Sequence, residues 1–157
     1  MKTVIVFVFG VNLLCPGENK EWPTHTLCKT KDLESYYKSC DPFQDFGLSI
    51  LPCDKYLDNA FAMKIGIILR RDANKMRTVL KLSYDGKYLI AVKKLICDDA
   101  DKRYSFCGRK KGEYLQIDQT VTFHLLIIPK GNYFLELELF NEDDFKLACA
   151  NITIISS

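Results

Sequence analysis

Hydrophobic and polar residues alternate with a period of two along much of the chain. In Asn132–Phe140, a tyrosine and three leucines at odd positions alternate with phenylalanines and glutamates. The same period occurs in segments 61–69, 78–84, 120–127 and 145–155. Successive side chains of a strand point to opposite faces of its sheet, so this pattern predicts strands with one buried and one partly solvated face. No segment combines a helical repeat with capping residues.

Turn-forming residues separate these segments. Asp85-Gly86 lies between two alternating runs, which is a strong signal for a tight hairpin. Further turn signals occur at 71–74, 111–112, 129–132 and 141–144. Short strands joined by turns at this spacing predict an all-β protein, and more exactly an antiparallel two-sheet β-sandwich.

Some segments are apolar on both faces, among them Leu125–Ile128 and Leu89–Val92, and the chain contains 10 Phe and 8 Tyr. Two interpretations fit. The first is a large, ordinary sandwich core. The second is a pair of splayed sheets with an apolar slot between them that an acyl chain fills. Composition does not separate them.

The first residues have the character of a secretory signal peptide. After Met1-Lys2 comes an apolar run of about a dozen residues that is too short for a membrane span, and then a polar segment from Glu18. We predict cleavage after Gly17, so that residues 18–157 form one secreted domain; the alternative is a buried N-terminal strand. No later segment has the ~18 uninterrupted apolar residues of a membrane helix.

Export removes Cys15 and leaves six cysteines in an oxidising compartment, which predicts a disulfide framework. Cys97 and Cys107 flank one acidic loop, so their pairing is the most local choice. The sequence alone leaves the other pairings open. Within Arg103–Glu113, Cys107 is therefore expected to close a small loop rather than act as a nucleophile.

The net charge of +2 disfavours a nucleic-acid-binding function. Asp98, Asp99 and Asp101 lack the ligand spacing and glycine of an EF-hand, so no metal site is predicted. The chain has no nucleophile elbow, no metal-spaced histidines and no acid–base pair. We therefore predict neither catalytic residues nor a cofactor, and expect the protein not to be an enzyme.

Seven segments together closely resemble the ML lipid-recognition family, in particular its myeloid-differentiation-type accessory proteins of Toll-like receptors. They are residues 22–28, 36–50, 51–53, 66–72, 104–113, 128–140 and 148–154. The resemblance implies an immunoglobulin-like sandwich opened into a cup with a hydrophobic lipid cavity. It also implies the disulfides Cys28–Cys53, Cys40–Cys149 and Cys97–Cys107.

The resemblance further implies which side chains line the cavity, and nearly all of them are apolar. These lipid-binding positions are Phe46, Leu48, Ile50, Met63, Ile65, Ile68, Leu80, Leu82, Leu95, Phe106, Val121, Phe123, Leu126, Tyr133, Leu135, Leu137, Ile152 and Ile154. At each single position plain core packing explains an apolar residue equally well. Only the whole set indicates a pocket.

The cavity mouth departs from the pattern of the endotoxin-binding branch of the family. Ile127 and His124 occupy positions where that branch has lysines, whereas Lys130 is kept. A histidine with an ordinary pKa is mostly neutral at pH 7. The expected ligand is therefore a phospholipid or another weakly charged amphiphile, although a solvent-facing strand residue remains the alternative for His124.

The resemblance implies a protein partner as well, the leucine-rich-repeat Toll-like receptor of B cells. Arg109, Lys110 and Lys111 are the candidate receptor contact, and a plain solvated turn is the alternative. Asn151-Ile152-Thr153 is a glycosylation sequon, and alternation places Asn151 on the outer face.

Three function classes follow. The first is a lipid-binding accessory subunit that supports surface expression of the receptor and innate immune signalling. The second is a free-standing secreted lipid carrier of the sterol-transfer type, and the third is a secreted enzyme. Co-secretion with the receptor would separate the first two classes, and turnover of lipid esters would exclude both.

Overall fold

The computed structural model describes residues 21–54, 60–98, 104–122 and 127–157, and within them regular structure consists of strands. The strands are β1 His25–Lys29, β2 Leu33–Ser39, β3 Gly47–Leu51, β4 Ala60–Ile68, β5 Met76–Tyr84, β6 Lys87–Cys97, β7 Tyr114–Thr122, β8 Gly131–Asn141 and β9 Lys146–Ser156. The predicted signal peptide lies outside the described residues.

The strands form two antiparallel sheets, which confirms the predicted sandwich. The larger sheet has six strands in the order β1-β2-β9-β8-β5-β6, and the smaller has three in the order β3-β4-β7. β5, β8 and β9 pair along nearly their whole lengths, with Leu80 opposite Leu137 and Leu135 opposite Ile152. These are the segments with the clearest alternation, because one face of each must be buried.

The predicted hairpin at Asp85-Gly86 joins β5 to β6. Both residues have positive φ, 45° for Asp85 and 76° for Gly86, as a two-residue hairpin turn of this kind requires. The strand predicted at 120–127 begins earlier than the sequence pattern indicates, because β7 starts at Tyr114. Gln119 occupies an inward-facing position of β7 and breaks the alternation of apolar and polar residues. Because of this polar residue, the sequence pattern does not reveal the first half of the strand.

The structure has the three disulfides that the family resemblance implied. Cys28–Cys53 links β1 to the segment after β3, Cys40–Cys149 links the end of β2 to β9, and Cys97–Cys107 links the end of β6 to the segment before β7. Two of the bridges therefore connect the edges of the two sheets. Their positions determine where the sandwich is held closed.

One side of the sandwich is closed by contacts between β1 and β3. The His25 ring of β1 is hydrogen-bonded to the carboxylate of Asp45, with 2.7 Å between Nε2 and Oδ2. The His25 ring also stacks on Tyr37, whose hydroxyl donates a hydrogen bond to the carbonyl of Phe46 at 2.7 Å. Burial raises the pKa of Tyr37 above its ordinary value, so the phenol stays protonated and keeps this hydrogen bond.

The tightest packing lies at one end of the strands, which we call the buried end. Its largest fully buried side chains are Leu69, Met76, Cys97, Leu115 and Leu147. The opposite end contains the β5–β6 turn and residues 130–131, and we call it the open end. A ladder of ion pairs on the outer face of the large sheet, Lys81–Glu136 and Lys146–Glu138, keeps that face in water.

Candidate functional site

Apolar side chains from both sheets point into the space between them. On the large sheet, Leu82, Leu135 and Ile152 occupy successive paired positions, and Leu80 and Leu137 form the neighbouring pair. Residues directly opposite each other in a ladder project from the same face. The register therefore builds a continuous aliphatic wall out of β5, β8 and β9.

The small sheet supplies the facing wall. Leu48 of β3 is paired with Ile65 of β4, and Ile50 with Met63. Val121 of β7 is paired with Phe61, two residues before Met63. The inward series of β4 is thus Phe61, Met63, Ile65 and Ile67, which is the parity that alternation predicts.

Burial of these inward side chains falls from the buried end to the open end on four of the strands that contribute, namely β4, β5, β7 and β8. On β5, Met76 is 0% exposed, whereas Leu80 and Leu82 are only half-buried. On β7, Leu115 is 0% exposed and Val121 is half-buried.

The other two strands show the same fall. On β8 the exposed fraction of Leu139 is 6%, and Leu137 and Leu135 are half-buried; on β4, Ile67 is buried and Met63 is half-buried. Four strands from two sheets change in the same direction. The sheets therefore diverge toward the open end, and we call the apolar space between them the cup.

The cup opens along the side where β6 and β7 form the sheet edges. β1 and β3 are in contact on the closed side, whereas β6 and β7 share no comparable set of contacts among the described residues. Cys97–Cys107 holds these two edges together only at the buried end. An elongated ligand would thus enter between the start of β6 and the end of β7.

Two tyrosines mark the rim of the cup. The rings of Tyr84 and Tyr133 are 5.0 Å apart between centroids. Tyr84 donates a hydrogen bond to the carbonyl of Lys130 at 3.0 Å, and Tyr133 donates one to the carbonyl of Pro129 at 2.9 Å. Burial raises the pKa of Tyr133, which keeps this donor protonated. The rim turn is therefore fixed by side chains whose rings also cover the end of the apolar wall.

The predicted lining residues fall into four groups. Phe46, Leu48, Ile65, Phe106 and Ile152 are buried near the closed parts of the sandwich. Ile50, Met63, Leu80, Leu82, Val121, Tyr133, Leu135, Leu137 and Ile154 are half-buried, and all lie on inward-facing positions of their strands. Phe123 and Leu126 lie outside the described residues, as do His124 of the predicted mouth and Asp99 and Asp101 of the acidic loop.

Two predicted lining residues lie on outer faces, and this corrects the prediction. Ile68 is 59% exposed because it has the opposite parity to Ile67, which takes the inward position. Leu95 is 55% exposed and is paired with Arg77 on the outer face of the large sheet. A register irregularity between Met76 and Arg77 shifts the parity of β6 at this point.

Sequence reasoning missed several inward residues. Phe61 continues the inward series of β4, and Ile90 and Val92 of β6 are paired with Leu82 and Leu80. Alternation alone gives Phe61. The sequence of β6 shows no alternation that would identify its inward residues, because the strand is apolar on both faces in its first half.

The basic turn is exposed and folded against residues 72–73. The amide of Lys111 donates a hydrogen bond to Asp72 Oδ1 at 2.9 Å, and Lys110 Nζ lies 3.2 Å from Asp72 Oδ2. The Lys111 amide, and secondarily Lys110, lower the pKa of Asp72. Arg109 and Gly108 pair with Ala73 through the backbone. Two of the three basic side chains therefore remain without a carboxylate partner among the described residues, those of Arg109 and Lys111.

Asn151 lies on the outer face of β9. Its paired residues are Lys38 and Glu136, while Ile152 beside it is buried on the inner face. This is the orientation that alternation predicted.

In the described ranges, no group of histidine, cysteine or acidic side chains has an arrangement that could hold a metal ion. No helix within them is long and apolar enough to cross a membrane. Two shallow depressions of 610 and 440 Å³ lie along β7 and the outer face of the small sheet, where Tyr114 covers Gly66.

Comparison with known proteins gives a consistent result. The ML-domain model matches residues 35–156. The chain belongs to the ML-domain family. Two ML-domain relatives are lymphocyte antigen 86 of Gallus gallus, 37% identical over 154 residues (98% of this chain and 96% of the relative), and lymphocyte antigen 86 of Mus musculus, 41% identical over 141 residues (90% and 87%).

A solved ML-domain structure supports the architecture. The crystal structure of chicken MD-1 complexed with lipid IVa has a TM-score of 0.78 and 37% identity, and covers 87% of this chain and 99% of that chain. The resemblance stated from the sequence segments is thereby confirmed. The cup described above is built on the same arrangement of strands.

Proposed function

We propose that this protein is a lipid-binding protein that holds the acyl chains of an amphiphile between its two sheets. The observation that carries the proposal is the fall in burial toward the open end, since it leaves an apolar surface on both sheets that packing within the chain only partly covers. A related protein of the same family has been solved with lipid IVa bound, and this supports the proposal.

The energetics favour such a ligand. Each methylene moved out of water into an apolar environment contributes roughly 0.8 kcal/mol. Aliphatic walls such as that of Leu80, Leu82, Leu135 and Leu137 tolerate different chain shapes, so headgroup selection falls to the rim. Ile127 and Lys130 are both exposed there, and we propose a phospholipid or another weakly charged amphiphile.

Binding of a fluorescent fatty-acyl probe tests the site directly. Leu135→Gln and Leu82→Gln each introduce an amide into the apolar wall, and we expect each to weaken probe binding on the order of tenfold, because the amide has no hydrogen-bond partner there. Ile68→Gln is the matched control, since Ile68 lies on the outer face. Equal affinities for the three variants and the unchanged protein would reject the cup as the binding site.

We further propose that the protein acts as an accessory subunit of a leucine-rich-repeat Toll-like receptor of B cells, and supports its surface expression and innate immune signalling. The similarity to lymphocyte antigen 86 along most of the chain supports this role. The basic turn is the candidate contact, because Arg109 and Lys111 are exposed without an acidic partner in the described part of the chain.

Co-secretion with the receptor ectodomain tests the partner. We expect a stable complex by size-exclusion chromatography that Arg109→Glu with Lys111→Glu weakens and that Lys31→Glu, on an exposed bend elsewhere, leaves intact. If the unchanged protein does not form a complex, the free-standing carrier is the better assignment.

The remaining proposals concern export and catalysis. We propose cleavage after Gly17, secretion, N-glycosylation at Asn151 and the absence of enzymatic activity. Glu18 at the N-terminus of the secreted protein and loss of a glycan in Asn151→Gln are the expected results. Hydrolysis of phospholipid esters by the purified protein would contradict the non-enzymatic role.

A further inference from the structure

β6 differs from every other strand in its exposure. Its nine consecutive residues Lys87–Leu95, which we call the β6 strip, are all exposed, although the strand is paired along its length with β5. The strip forms the free edge of the large sheet at the open side of the cup. Both of its faces therefore reach solvent.

The strip concentrates apolar side chains on the surface. Its large exposed hydrophobic residues are Tyr88, Leu89, Ile90, Val92 and Leu95. Ile90 and Val92 continue the aliphatic wall of the cup outward, since they are paired with Leu82 and Leu80. An exposed apolar patch of this kind marks an interaction site.

The charges of the strip are all positive. Lys87, Lys93 and Lys94 have no carboxylate partner among the described residues, and the strip contains no acidic residue. Three lysines on other strands contrast with this: Lys81, Lys64 and Lys146 each pair with an acidic residue on a neighbouring strand. The three unpaired lysines thus project a local positive potential around an apolar strip.

We infer that the β6 strip docks edge-on to the surface of an anionic lipid membrane. The apolar side chains, with Tyr88 among them, would enter the interfacial region, while the lysines keep their ammonium groups at the level of anionic headgroups. Lysines along a free edge also oppose addition of a strand from another protein or from a second copy of this chain, which favours a membrane as the partner.

Docking in this orientation brings the opening of the cup against the headgroups. An acyl chain could then move along Ile90 and Val92 to Leu82 and Leu80 with little exposure to water. This route rests on the proposed lipid-binding function. The docking itself does not, because the strip is exposed whatever the cup holds.

Vesicle co-sedimentation tests the inference. The full secreted protein is mixed with vesicles of phosphatidylcholine containing a minority of phosphatidylserine, or of phosphatidylcholine alone. We expect binding to the anionic vesicles, loss of binding at high salt, and much weaker binding to the neutral vesicles. Lys87→Gln/Lys93→Gln/Lys94→Gln should weaken binding on the order of 100-fold, about fivefold for each lysine.

Two further variants separate charge from apolar contact. Lys64→Gln removes a lysine from the outer face of the small sheet and should leave vesicle binding unchanged. Leu89→Ser, at an exposed position of the strip, should weaken binding without a change in thermal stability. Both variants remain informative if the triple variant proves poorly folded.

Several results would overturn the inference. They are equal binding to neutral and anionic vesicles, no binding at all, and unchanged binding by the triple variant. A dimer, or a receptor complex, that the triple variant abolishes while vesicles fail to bind would instead assign the strip to a protein partner. Acyl-probe binding by the same preparations shows separately whether the cup is functional, so failure of docking and failure of lipid binding are distinguishable.

Discussion

At the scale of single residues, Gly131 shows how the rim depends on a backbone conformation. Its φ of 146° is one that side-chain-bearing residues rarely adopt, and a Cβ there would overlap the ring of Tyr84. We expect Gly131→Ala to lower the free energy of unfolding by about 1 to 3 kcal/mol in urea denaturation. Gly47→Ala is the control, since a Cβ at Gly47 meets only the carbonyl oxygen of Gly66 at 3.7 Å. Equal stabilities would contradict this explanation of the rim.

Asp72 gives a prediction about pH at the same scale. Because its folded pKa is lowered, its carboxylate contributes stability above the unfolded pKa, and this contribution is lost as the pH falls through the folded pKa. NMR titration should find the Asp72 carboxyl titrating below the ordinary value for aspartate. Lys110→Gln should raise this pKa only partway, because the backbone amide of Lys111 is the larger cause. A pKa at or above the ordinary value would remove Asp72 as the anchor of the basic turn.

At the scale of elements, the disulfides differ in the length of chain they enclose. Cys40–Cys149 spans 109 residues and Cys97–Cys107 spans 10. In the chain-entropy model the longer loop stabilises the fold by about 2 kcal/mol more. We therefore expect Cys40→Ala/Cys149→Ala to lose more stability in reversible urea unfolding than Cys97→Ala/Cys107→Ala. The opposite order would show that local packing, rather than chain entropy, dominates.

The elements also show what the sequence can predict. β5, β8 and β9 follow from alternation because a slip of one residue would expose their leucines. β6 does not, since both of its faces are apolar and its pairing contains register irregularities. Leu95 follows the irregular register of β6, whereas Ile68 lies in a regularly paired strand whose alternation already places it outward. The family resemblance at single positions gave the wrong face for both residues.

At the scale of the whole molecule, the distance between the sheets decides the function. Alternation shows which face of each strand is buried. An ordinary core and an open cup both place the same residues on that face, so alternation does not distinguish between them. The difference lies in how contacts are distributed, with β1 and β3 joined and β6 and β7 joined only near Cys97–Cys107. The β1–β3 contacts, and the lack of a comparable set between β6 and β7 in the described part of the chain, follow from no local sequence pattern and become visible only in the folded structure.

The content of the cup in the protein as cells release it is the most direct test of this account. The protein would be secreted from animal cells, purified without detergent and extracted with organic solvent, and the extract quantified by mass spectrometry. The account predicts close to one equivalent of a phospholipid or a similar weakly charged amphiphile for each chain. A folded, monodisperse protein that releases no lipid would contradict it, and the space between the sheets would then be an ordinary protein core.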